Sequence, residues 1–161
     1  MVTPGADCPA RETPERIADY TLKLLRRRVP PAVPGIMFLS GGQSELEATL
    51  NLNAMNQVRR GAGGVGGGGG GSRPRAPRAD PHAAPPAPQS PNPWHVSFSY
   101  ARALQNSVLR TWKGDAKNNQ AGQEALLVRA KANSDAQLGK YDPSTESAEA
   151  GKSLYEKGYK Y

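Results

Sequence analysis

The architecture of this protein can be read from GIMFLSGGQSELEATL, residues 35–50. Its segment IMFL, at positions 36–39, is an unbroken apolar run, which is typical of a short strand buried on both faces of a parallel sheet. Ser44 is followed three positions later by Glu47, and this capping-box spacing predicts that a helix begins at this point. The stretch therefore predicts a strand, a glycine-containing turn and a helix in direct succession.

A further helix is predicted before this stretch. In TPERIADYTLKLLRRRVPP, residues 13–31, Thr13 is suited to the N-cap and Pro14 to the first turn. Apolar side chains then recur at a helical spacing, and Pro30 prevents the helix from continuing. The apolar positions are Ile17, Tyr20, Leu24 and Val29.

The second half of the chain carries the same kinds of pattern. In HVSFSYA, residues 95–101, apolar and small polar residues alternate, which predicts a strand. Helices are predicted for RALQNSVLRTWKG, residues 102–114, and for QEALLVRAKANSDAQLG, residues 123–139, each ending at a glycine. Because strands and helices alternate along the chain, the sequence predicts an α/β fold.

Composition narrows the classes of protein that fit. The chain has 161 residues, enough for one domain, and carries 21 Lys and Arg against 14 Asp and Glu, a net charge of +7. Residues 58–89 hold five arginines and one aspartate, so the basic signal is mostly local. A single cysteine, Cys8, excludes an intrachain disulfide, and nothing in the sequence resembles a metal-ligand spacing, so no metal site is predicted. With no membrane-length apolar run and no signal-peptide pattern, the sequence predicts a cytoplasmic protein without a membrane partner.

Residues 58–89 differ in composition from the rest of the chain. They are rich in glycine, proline and alanine and contain no aromatic residue, so they cannot build a hydrophobic core. Gly61, Gly63 and Gly66 match the dinucleotide-binding spacing, but no strand precedes them and no helix can begin in the glycines that follow. We therefore predict a disordered insert without a specific nucleic-acid partner; weak RNA binding by its arginines is the less favoured alternative.

The residues outside this insert carry a family resemblance. The motifs VTPGADC, VPPAVPG, LSGGQSE, ATLNLNAMN, FSYARALQ and KGYKY occur in this order. Through them the chain resembles the C-terminal part of the class I fructose-bisphosphate aldolases, most closely the plant cytosolic type. The resemblance implies an incomplete (β/α)8 TIM barrel, a cytoplasmic homotetramer and no metal or other cofactor. It also implies glycolytic cleavage of fructose 1,6-bisphosphate to dihydroxyacetone phosphate and glyceraldehyde 3-phosphate through a Schiff base.

The resemblance also implies where the substrate binds. Within LSGG and SYAR, it assigns the binding of a substrate phosphate to Ser40, Gly41, Gly42, Ser99 and Arg102. The chemistry agrees, because glycines before a helix N-terminus expose backbone N–H groups and an arginine supplies a fixed charge. Loops after the last two strands of such barrels often hold phosphate. The C-terminal Tyr161 is implied to fold over the active site and to assist proton transfer.

The nucleophile implied by the resemblance is a lysine in the motif KPNMVTPG, three residues before Met1. We therefore expect the chain to lack the Schiff-base lysine and to be inactive alone. We interpret the chain as a truncated gene product in which the insert is a retained intron; docking of a non-catalytic fragment on full-length aldolase subunits is the alternative. Four parts are expected: an aldolase barrel segment (1–57), the disordered insert (58–89), the last barrel strand with the C-terminal helices (90–140) and a mobile tail (141–161).

Overall fold

The computed structural model describes residues 1–5, 7–57, 92–146 and 148–157. Within these residues the chain forms four α-helices and two β-strands. In chain order they are α1 Pro14–Arg28, β1 Gly35–Phe38, α2 Glu45–Gln57, β2 His95–Phe98, α3 Arg102–Trp112 and α4 Asn119–Gln137. Short 3-10 helices occur at Ala116–Asn118, Pro143–Thr145 and Ala148–Gly151. The predicted disordered insert, 58–89, lies outside the described residues.

The two strands pair in parallel, with Gly35 opposite His95 and Phe38 opposite Phe98. Helix α2 lies between them in chain order, so the described residues contain a β-α-β unit to which α1, α3 and α4 are added. Parallel strands need such a crossover, because a hairpin turn can only reverse the direction of the chain. The predicted α/β class is therefore confirmed, in the form of a helix-rich fragment.

One face of this sheet is open in the described part of the chain. We predicted that the IMFL run would be buried on both faces, but Met37 is 65% exposed and Leu39 is 60% exposed. Ile36 and Phe38, which alternate with them, are partly buried, and Phe38 packs against the core. Successive side chains of a strand point to opposite faces, so they meet different surroundings. An apolar run predicts that a strand is buried, but it does not show which residues cover each of its faces.

Helix α1 begins as predicted. The Thr13 hydroxyl accepts a hydrogen bond from the Arg16 N–H at 3.4 Å, and Pro14 lies in the first turn. The buried face differs from the predicted one, because Tyr20 and Leu24 are about half exposed. The buried residues are Ile17, Ala18, Thr21 and Leu22. A helical period permits several neighbouring faces, and the packing of α1 on α2 selects one of them.

Helix α2 forms the centre of the described structure. Its start is as predicted, because the Ser44 hydroxyl accepts a hydrogen bond from the Glu47 N–H at 3.0 Å. Leu52 and Met55 are fully buried and belong to the main apolar core. The other buried members of this core are Ala18, Leu22, Ala54, Val96, Ala136 and Tyr141. A helix that is buried nearly all round must also place its polar side chains inside the protein.

Helix α4 is longer than predicted. It begins at Asn119, whereas the sequence pattern predicted a start at Gln123. The Asp115 carboxylate accepts a hydrogen bond from the Lys117 N–H at 2.9 Å and caps a 3-10 turn that leads directly into α4. The predicted end is confirmed, because Gly139 follows the helix with a φ of +68°, a conformation that favours glycine.

The segment 141–157, predicted to be part of a mobile tail, makes buried contacts where it is described. Its buried residues are Tyr141, Ala150 and Leu154. The Arg129 guanidinium of α4 forms an ion pair with the Glu146 carboxylate, and both side chains are almost fully buried. Arg129 also donates a hydrogen bond to the Thr49 hydroxyl of α2 at 2.9 Å. The mobility of the tail and the four-part division of the chain stay predictions.

The buried ion pair gives the first testable prediction. Glu146→Gln should lower the free energy of unfolding by about 3 kcal/mol, because the Arg129 charge stays buried without its counter-charge. Urea denaturation of the purified chain measures the change. The matched control is Asp135→Asn, which breaks an exposed pair with Lys131 and should cost no more than about 0.5 kcal/mol. Equal losses for the two variants would contradict the prediction.

Alkaline pH gives the second prediction. Burial raises the pKa of the Tyr100 phenol, whose hydroxyl donates a hydrogen bond to the Ala48 carbonyl at 2.9 Å. The stability that depends on the neutral phenol is present below the ordinary tyrosine pKa of about 10 and is lost as the pH rises above it. Tyr100→Phe should therefore reduce the fall in unfolding free energy between about pH 9 and pH 11.

The control for this experiment is Tyr20→Phe, because Tyr20 is about half exposed. That variant should follow the wild-type pH dependence. Some loss should also remain in Tyr100→Phe, since burial and the hydrogen bond to Glu146 raise the pKa of Tyr141 as well. Urea denaturation at several pH values measures these slopes, and an unchanged slope in Tyr100→Phe would refute the assignment.

Candidate functional site

A tight turn connects β1 to α2 and forms the centre of the candidate site. The Gln43 N–H donates a hydrogen bond to the Ser40 carbonyl at 3.2 Å, which closes a turn over Gly41 and Gly42. Gly41 has a φ of +59°, a backbone conformation that side chains other than glycine rarely adopt. The predicted LSGG motif is thus a sharp turn at the carboxyl end of a parallel strand.

Gly42 is needed for a different reason. A Cβ atom at this position would lie 3.1 Å from both Cα and Cβ of Tyr155, so a side chain here would require the C-terminal segment to move by a few tenths of an ångström. This close approach brings Tyr155 to the turn, although it lies more than a hundred residues away in the sequence. The sequence patterns gave no signal for Tyr155, because its position depends on the path of the C-terminal segment.

The turn borders a cavity of about 740 Å³. Within the described part of the chain, neither the N–H of Gly41 nor that of Gly42 has an acceptor. Both glycines line the cavity, as do Ser40, Gln43, Ser44 and Ser153. The first turn of α2 follows directly and carries the positive end of the helix dipole. This arrangement of backbone donors is suited to an anion.

Arg102 stands beside this turn at the start of α3. Its Nη2 donates a hydrogen bond to the Gly41 carbonyl at 2.8 Å, and its Nη1 donates to the Leu154 carbonyl at 2.7 Å. The guanidinium therefore joins the turn after β1 to the C-terminal segment. The structure thus brings Arg102 into contact with the LSGG turn, but these two donors face backbone carbonyls and the residue does not line the cavity.

The remaining two predicted residues are not brought into the cavity. The Ser99 N–H donates a hydrogen bond to the Phe38 carbonyl at 2.8 Å, which continues the parallel pairing of the strands. The Ser99 residue itself is exposed and does not line the cavity. Tyr161 lies outside the described residues.

Two polar residues, Gln43 and Asn51, support the turn, and the sequence analysis did not predict them as site residues. Gln43 donates from Nε2 to the Ser40 carbonyl at 3.0 Å, and Asn51 donates from Nδ2 to Gln43 Oε1 at 2.7 Å. Asn51 is fully buried in α2. The only available signal was the presence of asparagines in a helix that is otherwise rich in apolar residues, and this does not indicate which asparagine faces the turn.

The described residues lack the features of a metal site, of a membrane-spanning helix and of a shielded lysine. No group of His, Cys, Asp and Glu residues could hold a metal ion there. None of the helices described is long and apolar enough to cross a membrane. The described lysines are all exposed, and none lines the cavity. They are Lys23, Lys113, Lys117, Lys131, Lys140, Lys152 and Lys157.

Comparison with known proteins gives a consistent result. The family model described as Fructose-bisphosphate aldolase class-I matches residues 1–63 and 83–161. Fructose-bisphosphate aldolase 1, chloroplastic, from Chlamydomonas reinhardtii is 61% identical over the whole chain, which covers 34% of that protein. The chloroplastic aldolase of Oryza sativa subsp. japonica is 56% identical, and the chain covers 33% of it. The chain therefore spans about a third of the length of these relatives.

The comparisons correct the predicted localisation. The cytoplasmic isozyme from Spinacia oleracea is 46% identical over the chain, less than the chloroplastic proteins of algae and plants. The prediction of a cytoplasmic protein is therefore wrong, and the plant cytosolic type is not confirmed. Short motifs such as LSGGQSE identify the family, but they do not separate isozymes of different compartments.

A solved structure agrees with these relatives. It is a ternary complex of fructose-bisphosphate aldolase from Plasmodium falciparum with TRAP and a small-molecule inhibitor. The superposition has a TM-score of 0.66 at 43% sequence identity and covers 88% of this chain and 32% of that one. Family model, sequence relatives and structural neighbour thus coincide, and the chain belongs to the class I fructose-bisphosphate aldolase family.

Proposed function

We propose that the cavity beside Gly41 and Gly42 binds a phosphate group of fructose 1,6-bisphosphate or of a triose phosphate. The observation that carries this proposal is the pair of consecutive glycine N–H groups without an acceptor in the described residues, directly before α2. Backbone donors at a helix N-terminus are a common anion site, and phosphate is the anion that the family's substrates offer. Membership of the aldolase family supports this choice of ligand.

Arg102 would supply the fixed positive charge of this site. At present its guanidinium donates to the carbonyls of Gly41 and Leu154. A phosphate oxygen is a stronger acceptor for arginine than a neutral carbonyl, because the hydrogen bond is then charge-assisted on both sides. We propose that a bound phosphate replaces the Leu154 carbonyl, while Ser99 completes the site from the neighbouring strand.

The reaction that we propose is the cleavage of fructose 1,6-bisphosphate to dihydroxyacetone phosphate and glyceraldehyde 3-phosphate through a Schiff base. A Schiff-base lysine needs a shielded position near the substrate carbonyl, where its pKa is lowered. None of the lysines in the described residues has such a position, since all are exposed. We infer that the nucleophile belongs to the two thirds of the relatives that this chain does not match, and that Tyr161 assists proton transfer.

For the architecture we propose the C-terminal part of a (β/α)8 barrel that works as a homotetramer. The open face of the sheet supports the barrel, because Met37 and Leu39 would be covered by further strands and their side chains. The alternative is a non-catalytic fragment that docks on full-length aldolase subunits. Co-purification with the intact Chlamydomonas relative under conditions where no activity is gained would favour that alternative.

The phosphate site gives the third prediction. Arg102→Gln should weaken the binding of inorganic phosphate by roughly tenfold or more, because a charge-assisted hydrogen bond is lost. The measurement is a titration of the 161-residue chain with phosphate, followed by the backbone amide signals of Gly41 and Gly42. The control is Arg28→Gln. Arg28 is an exposed residue at the C-terminus of α1, near the start of β1, whereas the glycine turn follows the end of that strand. An equal loss in both variants would show that only net charge matters.

The fourth prediction concerns the nucleophile. Incubation of the chain with dihydroxyacetone phosphate, followed by borohydride reduction, should leave no covalent adduct on any of its eight lysines. The reason is that Schiff-base chemistry needs a lysine in a shielded position near the substrate carbonyl, and none of the described lysines has one. Mass spectrometry measures the adduct, with the Chlamydomonas aldolase as positive control. A stable adduct on this chain would overturn the assignment of the nucleophile to another part of the enzyme.

A further inference from the structure

The turn after β1 is held from the buried interior by three hydrogen bonds. The Ser40 carbonyl accepts two of them from Gln43, one from the backbone N–H at 3.2 Å and one from Nε2 at 3.0 Å. Gln43 Oε1 accepts the third from Asn51 Nδ2 at 2.7 Å. We call the series Asn51, Gln43, Ser40 the amide relay, since it connects the middle of α2 to the end of β1.

The amide relay has one direction, because a carboxamide has a donor side and an acceptor side. Asn51 is fully buried, and its Oδ1 has no hydrogen-bond partner in the described part of the chain. A buried acceptor without a partner is unfavourable by about 1–3 kcal/mol, so core stability alone would favour an apolar side chain at this position. The hydrogen bond from Asn51 to Gln43 gives a reason for the asparagine that packing does not give.

We propose that Asn51 and Gln43 are positioning residues of the phosphate site, an inference that rests on the phosphate binding proposed above. By holding the Ser40 carbonyl, the amide relay keeps the turn in the conformation in which Gly41 has its positive φ. In that conformation the N–H groups of Gly41 and Gly42 stay unpaired and border the cavity. Gln43 lines the cavity, whereas Asn51 does not and acts only through Gln43.

A change of donor to acceptor at position 51 tests this role. In Asn51→Asp the new carboxylate has no donor for Gln43 Oε1, so the Gln43 amide turns over to donate to it. Gln43 Oε1 then faces the Ser40 carbonyl, and two acceptors repel each other where a hydrogen bond existed. The turn should lose its fixed conformation, although no atom that borders the cavity has been removed.

The experiment measures the affinity of the 161-residue chain for inorganic phosphate through the amide signals of Gly41 and Gly42. Asn51→Asp should weaken binding by about fivefold to tenfold, as expected for the loss of one or two supporting hydrogen bonds. The matched control is Asn53→Asp on the same helix, because Asn53 uses its Oδ1 to accept from the Tyr141 N–H at 3.0 Å and a carboxylate can do the same. The control should stay within about twofold of the wild type.

A second variant avoids the buried core, in case Asn51→Asp does not fold. Gln43→Met removes the amide from a half-buried side chain and should give the same loss of phosphate affinity. Its control is Gln57→Met, which removes a similar bond from Gln57 Nε2 to the Gly139 carbonyl at 2.9 Å and should leave affinity unchanged. Because the relay acts in series, the double variant of positions 43 and 51 should lose no more than the larger single one.

The outcomes separate this inference from the phosphate site itself. If Arg102→Gln weakens phosphate binding while the variants of Gln43 and Asn51 leave it unchanged, the positioning role is refuted and the phosphate site stands. Additive losses in the double variant would also refute it, because they would indicate two independent effects. If Arg102→Gln and the relay variants all leave phosphate binding unchanged, the proposed phosphate site fails together with the relay.

Discussion

The burial of α2 on nearly every side is the constraint on which the described structure depends. A buried polar group without a partner costs free energy comparable to a lost hydrogen bond, so the polar side chains of this helix need partners inside the protein. The buried polar residues of α2 are Glu45, Thr49, Asn51, Asn53 and Asn56. Their partners lie on the turn after β1 and on β2, α3, α4 and the C-terminal segment. The hydrogen bonds of this one helix therefore connect most of the other elements.

These connections differ in kind. The Glu45 carboxylate accepts hydrogen bonds from the Ser107 N–H and hydroxyl at 3.0 and 3.1 Å, which joins the start of α2 to α3. Thr49 contacts both Asn133 and Arg129 of α4, and Arg129 forms the buried ion pair with Glu146. The C-terminal segment is thus attached to the central helix through a charge that α4 supplies. Such a pair is costly to break, even though its net contribution to stability is small.

The candidate site depends on the same helix. The first turn of α2 lies next to the glycine turn, and Asn51 in its middle holds that turn through Gln43. On the other side, Arg102 and Tyr155 bring α3 and the C-terminal segment against the same turn. The cavity itself has walls from three distant parts of the sequence, which are the N-terminal residues, the turn with the start of α2, and the C-terminal segment. The shape of the cavity therefore depends on the packing of the C-terminal segment as well as on the residues of the LSGG motif.

Much of the local structure could be predicted from the sequence, because its causes lie within one helical turn. The caps at Thr13 and Ser44 and the helix end at Gly139 each depend on hydrogen bonds or dihedral angles of neighbouring residues. Gly41 and Gly42 could also be singled out, since two glycines between a strand and a helix are a local signal. Because these signals are local, short motifs were also sufficient to recognise the family.

Only the tertiary structure decided which faces are buried and which donors are engaged. Met37 and Leu39 belong to an apolar run but are exposed, because nothing in the described part of the chain covers their face. Arg102 was expected to hold a phosphate, but two of its donors bind backbone carbonyls, one of them 52 residues away. By itself, the sequence determined the helix caps, the glycine turn and the α/β class, since these require only near neighbours. The surroundings of each side chain were decided only by the tertiary structure, since they are formed by residues far apart in the sequence.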